Sequence, residues 1–155
     1  MLYTKTGDLG YTDLLNNRRT AKNSDIIELI GTIDEFSASL GISGLYVSEE
    51  LKNDIEKLQN QLFSVMAELA GGKIYVTSEI VLQIEKKIDS YPDFNGFINS
   101  SNKCGYAYLN LSRCIIRRAE RIASGMINEI GKEMFAYLNR LSDLVYAMSL
   151  QANTK

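Results

Sequence analysis

Nine consecutive residues, Arg113-Cys-Ile-Ile-Arg-Arg-Ala-Glu-Arg121, hold four guanidinium groups and a single carboxylate. Helical spacing places Arg113, Arg117, Glu120 and Arg121 near one another on one face. On an exposed helix such cations are relieved by carboxylates three or four positions away, and only Glu120 is available inside the stretch. The remaining charge must be met by water, by another helix or by a ligand. Arginine suits forked hydrogen bonding of phosphate oxygens, so a polyphosphate site and a solvated basic face are both open readings. Near the start, Thr4-Lys-Thr-Gly-Asp-Leu-Gly-Tyr-Thr12 combines two glycines, three threonines and a lysine. These are the ingredients of a backbone cradle for phosphate, although the Gly-Lys-Ser/Thr ending of a Walker loop is missing. A flexible leader with chance glycines is the other reading. Arg18, Arg19 and Lys22 add local positive charge.

The chain of 155 residues is the size of one domain and long enough to bury a core, so residues 1–155 are expected to form a single unit. With 17 Lys+Arg against 19 Asp+Glu, the net charge of -2 offers no general attraction to nucleic acid or to an anionic membrane. Any anion site must be local. Cys104 and Cys114 have neither metal-like nor redox-like spacing and no signal peptide precedes them, which suggests a reducing cytoplasm and two small, partly buried thiols. No apolar run approaches the roughly 18 residues of a membrane span. Histidine is absent, which removes the usual general base, the Glu-x-x-His pairs of a ferritin-like metal bundle and the Ser-His-Asp triad.

The elements that must position these residues read as helices. The first 23 residues have no helical period and are expected to form an ordered loop or short strand. A helix from about Asp25 to Leu45 has Asn23 or Ser24 as its cap and Ile26, Ile30, Ile33 and Leu40 as its apolar stripe. Asp34 and Glu35 lie in its middle, where one acid is expected to be solvated and the other paired with a base on another helix. Ser48 opens the clearest helix, in which Leu51, Ile55, Leu58, Leu62, Val65 and Leu69 form a bundle seam closed by Gly71-Gly72. Thr77 or Ser78 begins a shorter helix with Ile80, Ile84 and Ile88 inward, ended by Pro92. Asp93 to Asn102 is a loop carrying Phe94 and Phe97. The fourth helix turns Leu109, Ile116, Ala119 and Ile122 toward the core, with Gly125 and Gly131 bracketing its end. The last, about Lys132 to Gln151, packs Met134, Leu138, Leu141, Val145 and Met148 inward and groups Asn139, Arg140 and Asp143 on one side.

Four blocks in order, TKTGDLGYT (Thr4 to Thr12), GTIDEFSASLG (Gly31 to Gly41), RCIIRRAER (Arg113 to Arg121) and NRLSD (Asn139 to Asp143), resemble the PduO-type ATP:cob(I)alamin adenosyltransferases. The resemblance covers nearly the whole chain. It implies an all-α fold, a five-helix bundle with an ordered N-terminal nucleotide-binding loop. It further implies a homotrimer with ATP between the leader of one subunit and the fourth helix of the next. The implied enzyme transfers the 5′-deoxyadenosyl group of ATP to the cobalt(I) of a reduced corrinoid, giving adenosylcobalamin and triphosphate, with magnesium accompanying the ATP. A reductase and a cobalamin-dependent enzyme would be its protein partners. Because cobalt(I) is itself the nucleophile, a chain without histidine can do this work; arginine and lysine need only fix ATP and stabilise the leaving triphosphate.

By the same resemblance, Thr4, Thr6, Gly7, Asp8, Gly10, Thr12 and Lys22 would hold the triphosphate and metal, with Arg113, Arg117, Glu120, Asn139 and Arg140 completing the site. No protein ligand to the metal is expected, magnesium being carried by the phosphates. Asp34 matches the aspartate that pairs with Arg113, and Phe97 the aromatic against the lower face of the corrin. The chain departs from the family at Asn99-Ser100-Ser101-Asn102, where Leu-Pro-Gly-Gly is usual, at Asn110, where histidine is frequent, and at Leu150, where many members carry arginine. A relative that binds nucleotide or corrinoid without transferring is the alternative function.

Overall fold

A computed structural model describes residues 5–92 and 103–154. Two short strands, β1 (Tyr11–Asp13) and β2 (Arg19–Ala21), pair antiparallel with Thr12 opposite Thr20, and five long helices follow. These are α1 (Asp25–Gly44), α2 (Glu49–Leu69), α3 (Ser78–Asp89), α4 (Cys104–Ser124) and, after the four-residue turn α5 (Ile127–Ile130), α6 (Lys132–Thr154). The expected five-helix bundle is present, and the N-terminal stretch is a hairpin.

Local chemistry sets the helix boundaries. The Ser48 hydroxyl accepts from the Leu51 N–H at 3.4 Å, and Thr77 does the same for Ile80 at 3.4 Å, each satisfying an amide that the first turn leaves open. Ser24 stands at the N-cap of α1 without a capping bond, its hydroxyl meeting that of Thr20 at 3.2 Å instead. Glu49 and Glu50 at the start of α2, and Lys86 and Lys87 at the end of α3, complement the helix dipoles.

The helices pack in the order α2, α1, α4, α6, α3, with one apolar core shared among them. The α2 seam is buried at all six expected positions, and Met134, Leu138, Leu141, Val145 and Met148 of α6 are buried likewise. The stripe of α1 is corrected: Leu29, Ile33, Phe36 and Leu40 are inside, whereas Ile26 and Ile30 only flank the core. The i, i+4, i+7 spacing of Leu29, Ile33 and Phe36 competes with that of Ile26, Ile30 and Ile33, and the large ring of Phe36 takes the buried side. The thiols are also corrected. Cys104 and Cys114 are both exposed, because the core side of α4 is taken by Tyr106, Leu109, Ile116 and Ala119.

Between α1 and α4 the contact is polar and small. Ser39, Ser43 and Ser112 are buried, each donating to a carbonyl of its own helix, and Ser112 Oγ lies 2.9 Å from Ser39 Oγ and 3.4 Å from Ser43 Oγ. Outside this seam Glu35 pairs with Arg118. One of the two adjacent acids is therefore paired, and Asp34 is exposed with no partner among the described residues.

Candidate functional site

Arg113 and Arg117 emerge from α4 into a cleft of about 300 Å³ whose other walls are Tyr106 and Asn110 of the same helix and Ser142, Asp143 and Tyr146 of α6. Arg113 Nε donates to Asn110 Oδ1 at 2.9 Å, and its guanidinium carbon stands 5.7 Å from the centre of the Tyr146 ring. Arg117, one turn on, is exposed and has no partner among the described residues. Beneath them Tyr106 is buried, and burial raises its phenol pKa, helped by Tyr146 and opposed by Arg113. Neither arginine makes an ion pair among the described residues. The cleft therefore offers forked cationic donors that the chain itself has not neutralised, a surface suited to phosphate or carboxylate oxygens.

The second polar region is the leader. Its turns are made by backbone bonds, Asp8 N–H to Lys5 C=O at 3.3 Å and Gly10 N–H to Gly7 C=O at 3.2 Å, with Gly10 at φ 82, where a side chain would be strained. Lys22 N–H donates to Gly10 C=O at 2.8 Å, and the Lys22 ammonium fills the space beside Gly7, only 2.8 Å from where a Cβ would stand. Arg19 clamps the turn to the hairpin, donating to the Thr6 carbonyl at 2.7 Å and to the Asp13 carboxylate at 3.1 Å. Thr12 is half-buried on β1. The hairpin tip is anchored by the Leu15 N–H, which donates to Ala70 C=O at the end of α2 at 2.9 Å.

The structure thus brings Gly7, Gly10 and Lys22 together with the Thr6 backbone, and separately brings Arg113 together with Arg117. Glu120 follows Arg117 by three residues on α4 and is half-buried. Of the α6 residues, Asn139 is half-buried one turn before Asp143, and Arg140 turns aside to α3, where its Nε donates to Glu85 Oε1 at 2.9 Å. Asp34 and Arg113 do not pair within the chain. Thr4, Phe97 and the segment Asn99 to Asn102 lie outside the described residues. Tyr106, Ser142, Asp143 and Tyr146 were not expected in the cleft. The spacing i−7, i−3, i+4 through Arg113 picks out Tyr106, Asn110 and Arg117, and the same step along α6 joins Asn139, Asp143 and Tyr146.

Among the described residues, none that lines the arginine cleft belongs to the leader. Leu14, Asn16, Arg18 and Thr20 instead border a cavity of about 490 Å³ against the end of α2 and the α5 turn. In the antiparallel α1–α4 pair, contacts run from Tyr46 on Tyr108 to Glu35 on Arg118. The leader, preceding α1, is therefore beyond the C-terminal part of α4.

Residues 2–152 match the family model described as cobalamin adenosyltransferase. A corrinoid adenosyltransferase of Bacillus subtilis is 38% identical over 170 residues, covering 99% of this chain and 87% of the relative. PduO of Salmonella typhimurium is 32% identical and is covered over 48% of its length, so the chain spans about half of that relative. A solved structure of a variant PduO-type ATP:corrinoid adenosyltransferase of Lactobacillus reuteri, complexed with cobalamin and ATP, superposes with a TM-score of 0.86 at 27% identity, covering 99% of this chain and 94% of that one.

Proposed function

The chain belongs to the cobalamin adenosyltransferase family, and we propose that its leader and its arginine cleft are the two halves of that family's active site. The protein is an ATP:corrinoid adenosyltransferase. Cobalt(I) of the corrinoid gives its electron pair to the 5′-carbon of ATP, the carbon–oxygen bond breaks, and triphosphate departs with that bonding pair. No proton moves, so no base is required.

What the chain supplies is charge and position. Thr4, Thr6, Gly7, Asp8, Gly10, Thr12 and Lys22 cradle the triphosphate, while Arg113, Arg117, Glu120, Asn139 and Arg140 enclose the nucleotide from α4 and α6. Arg140 leaves Glu85 to do so. Magnesium accompanies ATP. The phosphate oxygens would hold the ion, which would offset charge on the departing triphosphate. Phe97 is the residue that the family resemblance assigns to the lower face of the corrin, where exclusion of an axial donor would ease reduction of cobalt(II).

The observation that carries this reading is the pair of guanidinium groups with no ion-pair partner among the described residues, in a cleft that no described leader residue lines. Two half-sites on different parts of one chain are accounted for by completion between chains, and the proposed active form is the homotrimer that the family resemblance implies, with Asp34 of one subunit against Arg113 of the next. Residues 1–155 act as one domain, working in the cytoplasm with a reductase upstream and a cobalamin-dependent enzyme downstream.

The test mixes two variants. Arg117→Ala and Lys22→Ala should each fail to convert reduced cobalamin and ATP to the adenosyl form, followed by visible absorption, and co-refolding them should recover part of the activity. Two inactive variants that stay inactive when co-refolded would place both halves in the same subunit. A parent protein that binds ATP without converting the corrinoid would be a binding module.

A further inference from the structure

Arg113 is braced on two sides, whereas Arg117 on the same face is not. Its Nε–H is committed to Asn110 Oδ1 at 2.9 Å, one turn back on α4, and its planar group stands 5.7 Å from the Tyr146 ring centre on α6. A guanidinium has five N–H donors, and Nε is the one that cannot join the terminal fork. With Nε on Asn110, neither terminal nitrogen has a partner among the described residues, and both are available to an acceptor. The Tyr146 ring, over which the guanidinium carbon stands, adds a cation–π contact from α6. Nothing comparable holds Arg117, which is exposed and without a partner among the described residues.

We infer that Asn110 and Tyr146 are positioning residues, which hold the Arg113 guanidinium in a single orientation so that its two terminal nitrogens meet their acceptor in the assembled site. This rests on the reading of the cleft given above. Asn110 is neutral, so it does not compete with that acceptor for the charge of Arg113, as a carboxylate in its place would. Tyr146 lies on the helix opposite, so the contact spans the groove between α4 and α6. Ordering the side chain in advance removes a cost that substrate binding would otherwise meet.

Asn110→Ala and Tyr146→Leu should each lower kcat about 10- to 100-fold while KM for ATP stays within about threefold, since a charge-stabilising group is misplaced and the other phosphate contacts are not removed. Tyr146→Phe, which keeps the ring, should recover most of what Tyr146→Leu loses, whereas Asn110→Asp, which keeps the acceptor but competes for the charge of Arg113, should not restore kcat. The direct readout is the Arg113 Nε–H resonance in isotope-labelled protein. It should be slow to exchange in the parent, fast in Asn110→Ala and slow again in Asn110→Asp. A fast-exchanging parent signal, or an Asn110→Ala variant with unchanged kcat while Arg113→Ala is inactive, overturns the positioning role alone. Full activity in Arg113→Ala would instead remove the reading of the cleft.

Discussion

The leader and the arginine cleft present cations by opposite means. In the leader the scaffold is backbone: two successive turns, a three-residue ladder and a lysine folded over a glycine, with Leu9, Tyr11 and Leu15 exposed around it. In the cleft the scaffold is a pair of packed helices with Leu109, Ile116, Leu138 and Val145 fully buried behind the polar faces. Backbone turns tolerate few residue types, because conformation and close approach decide them, yet they contribute little to global stability. Helix faces tolerate many residue types outside the site, and their stability comes from the buried side. The two regions should therefore separate function from folding in different ways.

The largest expected effect tests the cleft. Arg117→Ala should lower transfer by at least about 100-fold, since it removes an unshared cation facing the triphosphate, while circular dichroism and subunit assembly stay as in the parent. Activity within a few-fold of the parent would leave the cleft without its assigned work. Next comes Gly7→Val in the leader, where a Cβ falls 2.8 Å from Lys22 Nζ and must displace the ammonium. KM for ATP should rise about tenfold with folding stability changed by no more than about 0.5 kcal/mol; unfolding of the bundle by this change would show that the leader is structural.

Asp34→Asn should have a smaller effect, about tenfold or less, because in the proposed assembly it would release the neighbouring subunit's Arg113 without deleting it. Combined with Arg113→Ala it should add nothing further, and full additivity would mean the two residues never meet. The smallest effect lies in the core. Tyr137 is fully buried and its hydroxyl has no partner among the described residues, so Tyr137→Phe should change stability at neutral pH by less than about 1 kcal/mol. Burial, and then the neighbouring Tyr75, raises the phenol pKa of Tyr137 above its ordinary 10.0. A raised folded-state pKa gives stability that is complete below pH 10 and is lost above it as the unfolded chain ionises first. Tyr137→Phe should flatten that alkaline loss of melting temperature, and an unaltered alkaline limb would show that the hydroxyl is not buried in the folded protein.

Where one periodic rule governed a segment, the sequence was easy to read. The α2 seam and the inner face of α6 are inside at every expected position, because each has a single unambiguous stripe. The α1 stripe was misread since isoleucines at 26, 30 and 33 overlap a second register through Leu29 and Phe36, and only packing chooses between registers. The exposure of Cys104 and Cys114 follows from α4 having larger apolar residues for its core side. At the site, Arg113 and Arg117 were legible because four cations beside one acid are unusual. Tyr106 and Tyr146 were not, since a tyrosine at helical spacing looks like core until a guanidinium is found against its ring. The departure of Arg140 toward Glu85 depends on where α3 lies, which no local pattern states.

The serine seam between α1 and α4 has a consequence for the order in which the chain acquires its shape. Ser39 and Ser112 are 73 residues apart in sequence, so their meeting closes a long loop and forms late. By contrast every residue lining the arginine cleft falls between Tyr106 and Tyr146, on two helices joined by the short α5 connection. The α4–α6 hairpin can therefore assemble, and bring Arg113 onto Tyr146, before α1 docks. Mutations along the hairpin's inner face should slow folding, whereas those at the serine seam should chiefly hasten unfolding.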